Sequence, residues 1–273
     1  MPPGQQIEWT PERVTSFWNF ECTFPNRYFS YSNADGLLKR LAKYLVGPVS
    51  ILDYGCGTGL LLARLAERGH RVAGSDTSEQ SLKAVRRRLR KYANFLGALT
   101  PDELLAEGMQ FDTILAVELV EHLYDDRLDD VLGMLRWLVR PGGHIIVTTP
   151  NHERLEDSFL MCPCCKSVFH RWQHVRSWSK ASLTDYLERR GFQVLDTFTT
   201  DFSVAQTAHE RWQAMSRWRK FRKRLKGRVS NGHARSDQNP HLVVIFRTAP
   251  SNVYERACDD YSTNEHYQKH IQD

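Results

Sequence analysis

The side chains able to do chemistry concentrate in three short stretches. Phe111-Asp112-Thr113-Ile114-Leu115-Ala116-Val117 reads as a strand that runs directly into Glu118-Leu119-Val120-Glu121-His122. If a helical turn follows the strand, Glu118, Glu121 and His122 stand at i, i+3 and i+4 and share one face. Two carboxylates and an imidazole converging at a sheet edge form a candidate site for Mg, Mn, Fe or Zn, with geometry deciding among them. The alternative gives Glu118 to a substrate or cofactor and leaves Glu121 and His122 as a helix cap and surface filling. The second stretch is Cys162-Pro163-Cys164-Cys165, followed by His170 and His174. C-x2-C places two thiolates in one turn and H-x3-H puts two imidazoles on one helix face, a spacing that suits zinc. The third is Ile51-Leu52-Asp53-Tyr54-Gly55-Cys56-Gly57-Thr58-Gly59, an apolar strand that ends on an acid and opens into a glycine at every second position. Glycine lets the backbone turn with positive φ and lie against a ligand with no Cβ between them.

These stretches need a scaffold, and the pattern around them supplies one. Leu60 to Arg68 has helix periodicity, and Gly69-His70-Arg71-Val72-Ala73-Gly74-Ser75-Asp76 is a short strand ending on a second acid. Asp76 lies about 20 residues past the loop, where doubly wound nucleotide sites carry a ribose-binding carboxylate. Further strands are expected near 93–96, 111–117, 143–149, 192–199 and 241–247, after a first near 49–53, with helices between most of them. Such alternation predicts an α/β fold, a doubly wound, seven-stranded, mostly parallel sheet with right-handed crossovers. Residues 8–46 are aromatic-rich helical material and form an expected N-terminal helical cap over 1–46. The 273 residues suffice for one large core or two small ones. There is no 18-residue apolar run and no signal peptide at Met1-Pro2-Pro3-Gly4, so a soluble, cytoplasmic protein is expected. In that compartment the six cysteines are read as thiols or metal ligands, not disulfides.

The glycine spacing separates two cofactor classes. Dinucleotide loops use G-x-G-x-x-G and hold a pyrophosphate at the helix N-terminus. Here the spacing is G-x-G-x-G and Asp53 precedes it, an acid that repels phosphate and suits a cation. Asp53 to Gly59 with Asp76 resembles motif I and its following acid in class I S-adenosylmethionine (SAM) methyltransferases. The resemblance covers roughly residues 10–200. It implies a Rossmann-like SAM-binding domain over 47–250, with Asp53, Gly55, Gly57 and Gly59 shaping the pocket for the methionine end of SAM. Asp76 would hold its ribose, Glu118 would also face the cofactor, and Arg140-Pro141-Gly142-Gly143 would be the turn before the fifth strand.

Glu118-x-x-Glu121-His122, followed by Thr148-Thr149-Pro150-Asn151, further resembles two metal-assisted families: the ubiquinone-biosynthesis O-methyltransferases and the enzymes that 2′-O-methylate the 3′ end of small RNAs. In both, two Glu, a His and a later His bind a divalent metal; here they correspond to Glu118, Glu121, His122 and His174. A metal such as Mg2+ would gather two adjacent oxygens and lower the pKa of the one to be methylated, while transfer from SAM is governed by in-line orientation. The resemblance therefore implies O-methylation of a hydroxyl beside another oxygen, on a small molecule or glycan. An RNA 3′-terminal 2′-O-methyltransferase and a non-catalytic SAM-fold subunit with a zinc site are the alternatives. Because His174 is claimed by both metal readings, the zinc set that leaves it free is Cys162, Cys165 and His170 with one outside ligand; without zinc the cysteines form a reduced loop at the substrate mouth.

The net charge of +5 is unevenly spread. Arg211 to Arg228 contains no acid, and Trp212, Met215, Trp218, Phe221 and Leu225 recur every three or four positions, as on an amphipathic helix. This basic insertion, 205–230, suits an anionic membrane surface or nucleic-acid phosphates, or else packs on its own domain with a solvated basic face. The Lys83 to Lys91 run reads as a solvated sheet-covering helix, and 251–273 as a polar tail.

Overall fold

The computed structural model describes residues 5–203 and 239–249. Its chain begins with two helices. In α1 (Pro11–Glu21) the Thr10 hydroxyl accepts the Arg13 amide and proline occupies the first turn, where no hydrogen bond is lost. In α2 (Phe29–Leu41), Ala34, Leu37, Leu38 and Leu41 form the buried face. Between them Pro25–Arg27 is a single 3-10 turn. The alternating part follows: β1 (Ser50–Tyr54), α3 (Leu60–Glu67), β2 (Arg71–Ser75), α4 (Glu79–Leu89), β3 (Phe95–Leu99), α5 (Pro101–Ala106), β4 (Phe111–Val117), α6 (Asp125–Leu138) and β5 (Val139–Pro150). A hairpin of β6 (Phe159–Met161) and β7 (Val168–His170) comes next, then α7 (Lys180–Arg189), β8 (Phe192–Thr200) and β9 (His241–Thr248).

Seven strands form one sheet in the order β3-β2-β1-β4-β5-β9-β8, and only β9 runs against its neighbours. Order reverses beside β1, so the carboxyl ends of β1 and β4 open onto a topological switch point, where such sheets bind ligands. Successive residues of the central strands divide between two cores. Ile51, Leu115, Ile146, Val243 and Ile245 pack against α2, α3 and α4, whereas Leu52, Ile114, Ile145, Val244 and Phe246 face α6 and α7. This is the period of two expected for strands covered on both faces.

The doubly wound expectation is therefore met, with local differences. The third strand starts at Phe95 because Asn94 is used in the turn, its side-chain amide donating to the Ala66 and His70 carbonyls. The fifth begins at Val139, which pairs with Phe111 before the register shifts across Pro141 to Gly143. The basic insertion 205–230 and the tail 251–273 lie outside the described residues. Among the described residues no helix is long and apolar enough to cross a membrane.

Candidate active site

The glycine loop and the two acids meet as the spacing implies. Asp53 ends β1 at 3% exposure, and the amides of Gly55 and Cys56 donate to the Ser75 carbonyl at the end of β2, drawing the loop across the sheet edge. Asp76 accepts from the Gly57 amide (2.9 Å) and the Ser78 amide (2.8 Å). Gly57 has φ +49, and a Cβ there would sit 2.4 Å from the Tyr28 ring, so a side chain at 57 would be both strained and obstructed. Burial and then the Asp76 charge push the Asp53 carboxyl up to about 7. Burial also raises Asp76, against the amides that stabilise its charge. Two buried carboxyls that resist ionisation side by side favour a cationic guest.

A cavity of about 460 Å³ joins these residues to the end of β4. Asp53, Gly55, Gly57, Asp76, Glu118, His122 and His174 all line it, as do Trp18, Tyr28, Trp172 and Gln173. Gly59 is not on its wall; it caps α3 and packs against Val85.

Beyond β4 the expected helical turn does not include Glu118. That residue has φ +49, and the 3-10 turn begins only at Val120. Its amide donates to the Thr148 carbonyl, its carboxylate accepts from the Thr148 hydroxyl at 2.8 Å, and its other oxygen lies 3.5 Å from His241 Nδ1. The shared face of three residues is thus replaced by a different grouping. Glu121, His122 and His174 offer ligand atoms all within 4.8 Å of one another, and Glu153, His170 and His174 form a second such group. Glu121 is 1% exposed and neither carboxylate oxygen has a hydrogen-bond partner among the described residues. Burial, then the nearby Glu118 charge, raise its pKa well above the usual carboxylate range. His122 is held down at about 3 by burial and by His174, so its ring is neutral and able to donate a lone pair. An orphaned buried carboxyl beside the neutral His122 ring and the His174 imidazole fits a divalent cation, and this donor set suits Mn, Fe, Co or Zn better than Mg.

The zinc set fares differently. Cys162 and Cys165 lie in the loop of the β6–β7 hairpin, with the Cys162 amide donating to the Ser167 carbonyl and the Lys166 amide to the Cys162 carbonyl. Hydrogen bonds from Ser167 and Cys162 lower the exposed Cys165 thiol to about 7. His170, at the end of β7, is 2% exposed and faces Glu153 instead. Among the described residues no group of three potential ligands contains a cysteine. The hairpin separates them because it ends its ladder at His170 and sends the thiols to its opposite, exposed end.

Sequence reasoning missed three contributors. Gln173, fully buried with φ +63, donates to the His122 carbonyl at 3.0 Å and accepts from the Trp18 indole at 3.1 Å, tying α1 to the cluster. Glu153 bonds His174, and His241 reaches Glu118 from β9. The aromatic run of the cap was the available signal for Trp18; nothing local marked Glu153 or His241.

The chain has relatives in sequence and in fold. It is 33% identical over 154 residues to the ubiquinone biosynthesis O-methyltransferase of Dinoroseobacter shibae, covering 54% of this chain and 60% of that protein. The protein of the same name from Ruegeria pomeroyi is 34% identical over 154 residues, with the same coverage. The chain thus matches about 60% of the length of these curated relatives. Among solved structures, the 1,6-didemethyltoxoflavin-N1-methyltransferase of Burkholderia thailandensis, with bound S-adenosylhomocysteine, superposes with TM-score 0.61 at 16% identity, over 91% of this chain and 94% of that one. The PH0226 protein of Pyrococcus horikoshii gives 0.58 at 17% identity, over 84% and 98%. At these identities the superpositions establish the fold. The methyltransferase domain family model matches residues 26–197, well over half of the sequence, and the chain belongs to that family.

Proposed function

We propose that the protein transfers the methyl group of SAM to a hydroxyl oxygen beside a second oxygen, on a small molecule or glycan, with assistance from a divalent metal. The observation that carries the reading is one cavity with both chemistries on its wall: Asp53 and Asp76 at one end, His122 and His174 at the other. The relatives' name supports oxygen as the acceptor atom.

Asp76 holds the ribose hydroxyls while the Gly57 and Ser78 amides keep its carboxylate in place. Asp53 meets the cationic methionine end, and Tyr28 and Trp18 close the cavity from the cap. Glu121, His122 and His174 would hold the ion, with Glu118 as a further carboxylate fixed by Thr148. Bound there, a divalent ion would lower the pKa of an acceptor hydroxyl. The acceptor oxygen then forms its bond to the methyl carbon as the carbon–sulfur bond breaks, the electron pair goes to sulfur and the hydroxyl proton is released. The protein's own part is alignment and exclusion of water from the cavity.

Incubating the full chain with methyl-labelled SAM, Mn2+ and a set of catechols and vicinal diols tests this. Monomethyl ethers are expected, with Glu121→Gln reducing the rate by about 100-fold or more. Labelling confined to RNA, and lost when its terminal diol is oxidised by periodate, would assign the acceptor to RNA instead; the basic stretch 211–228 that would favour this lies outside the described residues. SAM binding with no transfer to any acceptor would indicate a binding subunit.

A further inference from the structure

His174 is gripped by a carboxylate that no motif marks. Glu153 stands on the loop leaving β5, where the Asn151 amide donates to the Pro240 carbonyl and the His152 amide to the Trp178 carbonyl, both at 2.8 Å. Facing it, the turn from His170 to His174 is closed by the Gln173 amide on the His170 carbonyl and anchored by the Val175 amide on the Glu121 carbonyl, both at 2.9 Å. One Glu153 oxygen lies 2.5 Å from His174 Nδ1, and the other 3.4 Å from His170 Nε2. The two imidazoles stack with centroids 4.4 Å apart.

Backbone amides settle which nitrogens carry protons. The Trp172 and His174 N–H groups both donate to His170 Nδ1, at 3.3 and 3.1 Å. A nitrogen receiving N–H donors holds a lone pair, so the His170 ring proton sits on Nε2, toward Glu153. An ion on that Nε2 would drive the proton to Nδ1, against two amide hydrogens. His170 therefore turns its Nε2 proton toward Glu153, 3.4 Å away and without a hydrogen bond, which argues against a second ion held by Glu153, His170 and His174. An ionised Glu153 accepts only, so its short contact with His174 puts a proton on His174 Nδ1 and leaves Nε2 as the ring nitrogen open to an ion.

We infer that Glu153, with His170 packed beside it, is a positioning residue that fixes His174 in the Nδ1–H form and so presents Nε2 to the ion shared with Glu121 and His122. The inference rests on the metal reading of His174. Carboxylates that orient a ligating imidazole in this way typically change metal affinity by about 10–100-fold.

The test is Mn2+ binding to the chelator-stripped full chain, followed by electron paramagnetic resonance, with long-range 1H–15N NMR of the ion-free protein to read histidine tautomers. The wild-type chain is expected to take one Mn2+, and His174→Ala to lose it. Glu153→Leu should weaken Mn2+ binding about 10–100-fold and mix the His174 tautomers, while Glu153→Gln, which keeps one acceptor oxygen, loses less. Retained SAM binding verifies folding, and if Glu153→Leu does not fold, Glu153→Gln decides alone. Wild-type affinity and an unchanged His174 tautomer in the folded Glu153 variants would overturn the inference, as would two Mn2+ in the wild type falling to one in the variants. No Mn2+ binding by the wild type, or full binding by His174→Ala, would overturn the metal reading itself and the inference with it.

Discussion

Asp53 departs from its ordinary range in a way that binding can report. Its folded-state pKa, raised to about 7 by burial and by Asp76, exceeds the value of about 4 in an unfolded chain. Its ionisation therefore costs stability, which falls as pH rises from about 4 to about 7. Cationic SAM favours the ionised form, so SAM affinity is expected to strengthen as pH rises through about 7 and then level off. Calorimetry at several pH values checks this, and Asp53→Asn should flatten the profile; a wild-type profile already flat between pH 6 and 8 would contradict it. Glu121 makes a different prediction. Its carboxylate oxygens have no hydrogen-bond partner among the described residues, and on the proposed metal reading Mn2+ at about 100 times its Kd should stabilise the wild type by about 2.7 kcal/mol. Thermal unfolding with and without Mn2+ measures the shift, which Glu121→Gln should largely remove.

Individual elements were legible to different degrees. Strands β1, β2 and β4 appear where the apolar runs end on acids or at a Glu, because the same residues that fill both cores also stop at the ligand edge. Asp53, Gly57 and Asp76 were readable because motif and geometry are local: the Gly57 amide reaches Asp76 across a single βα unit. Glu118 was misplaced because its conformation is set by Thr148 on a neighbouring strand, 30 residues away. Glu153 and His241 belong to the same class, since their partners come from other elements. The hairpin β6–β7 was hidden by three-residue strands too short to show alternation. The cap is held to the core by a close approach: a Cβ on Gly36 would lie 2.0 Å from the Phe202 carbonyl oxygen. Gly36→Ala should therefore destabilise the fold by about 1–3 kcal/mol, read by chemical denaturation. Gly57→Ala adds positive φ to its clash with Tyr28, and should cost about 1–3 kcal/mol in stability. SAM affinity should fall with it; unchanged affinity would mean that the loop is not part of the donor pocket.

At the scale of the molecule, the two cores make a rigid sheet whose switch point faces a cap of helices, and everything assigned a chemical role lies between them. The donor end of the cavity is built by β1, β2 and their loops, within the segment that the family model covers. At the other end, Gln173 and His174 follow the β6–β7 hairpin inside that segment, and His241 in β9 lies beyond it. The claim on which the rest depends is that this cavity binds SAM through Asp76. Isothermal titration of SAM into the full chain, beside Asp76→Ala, measures it directly. One equivalent bound by the wild type and at least a tenfold loss in the variant is the expected result; no binding by the folded wild type, or equal binding by Asp76→Ala, would contradict it.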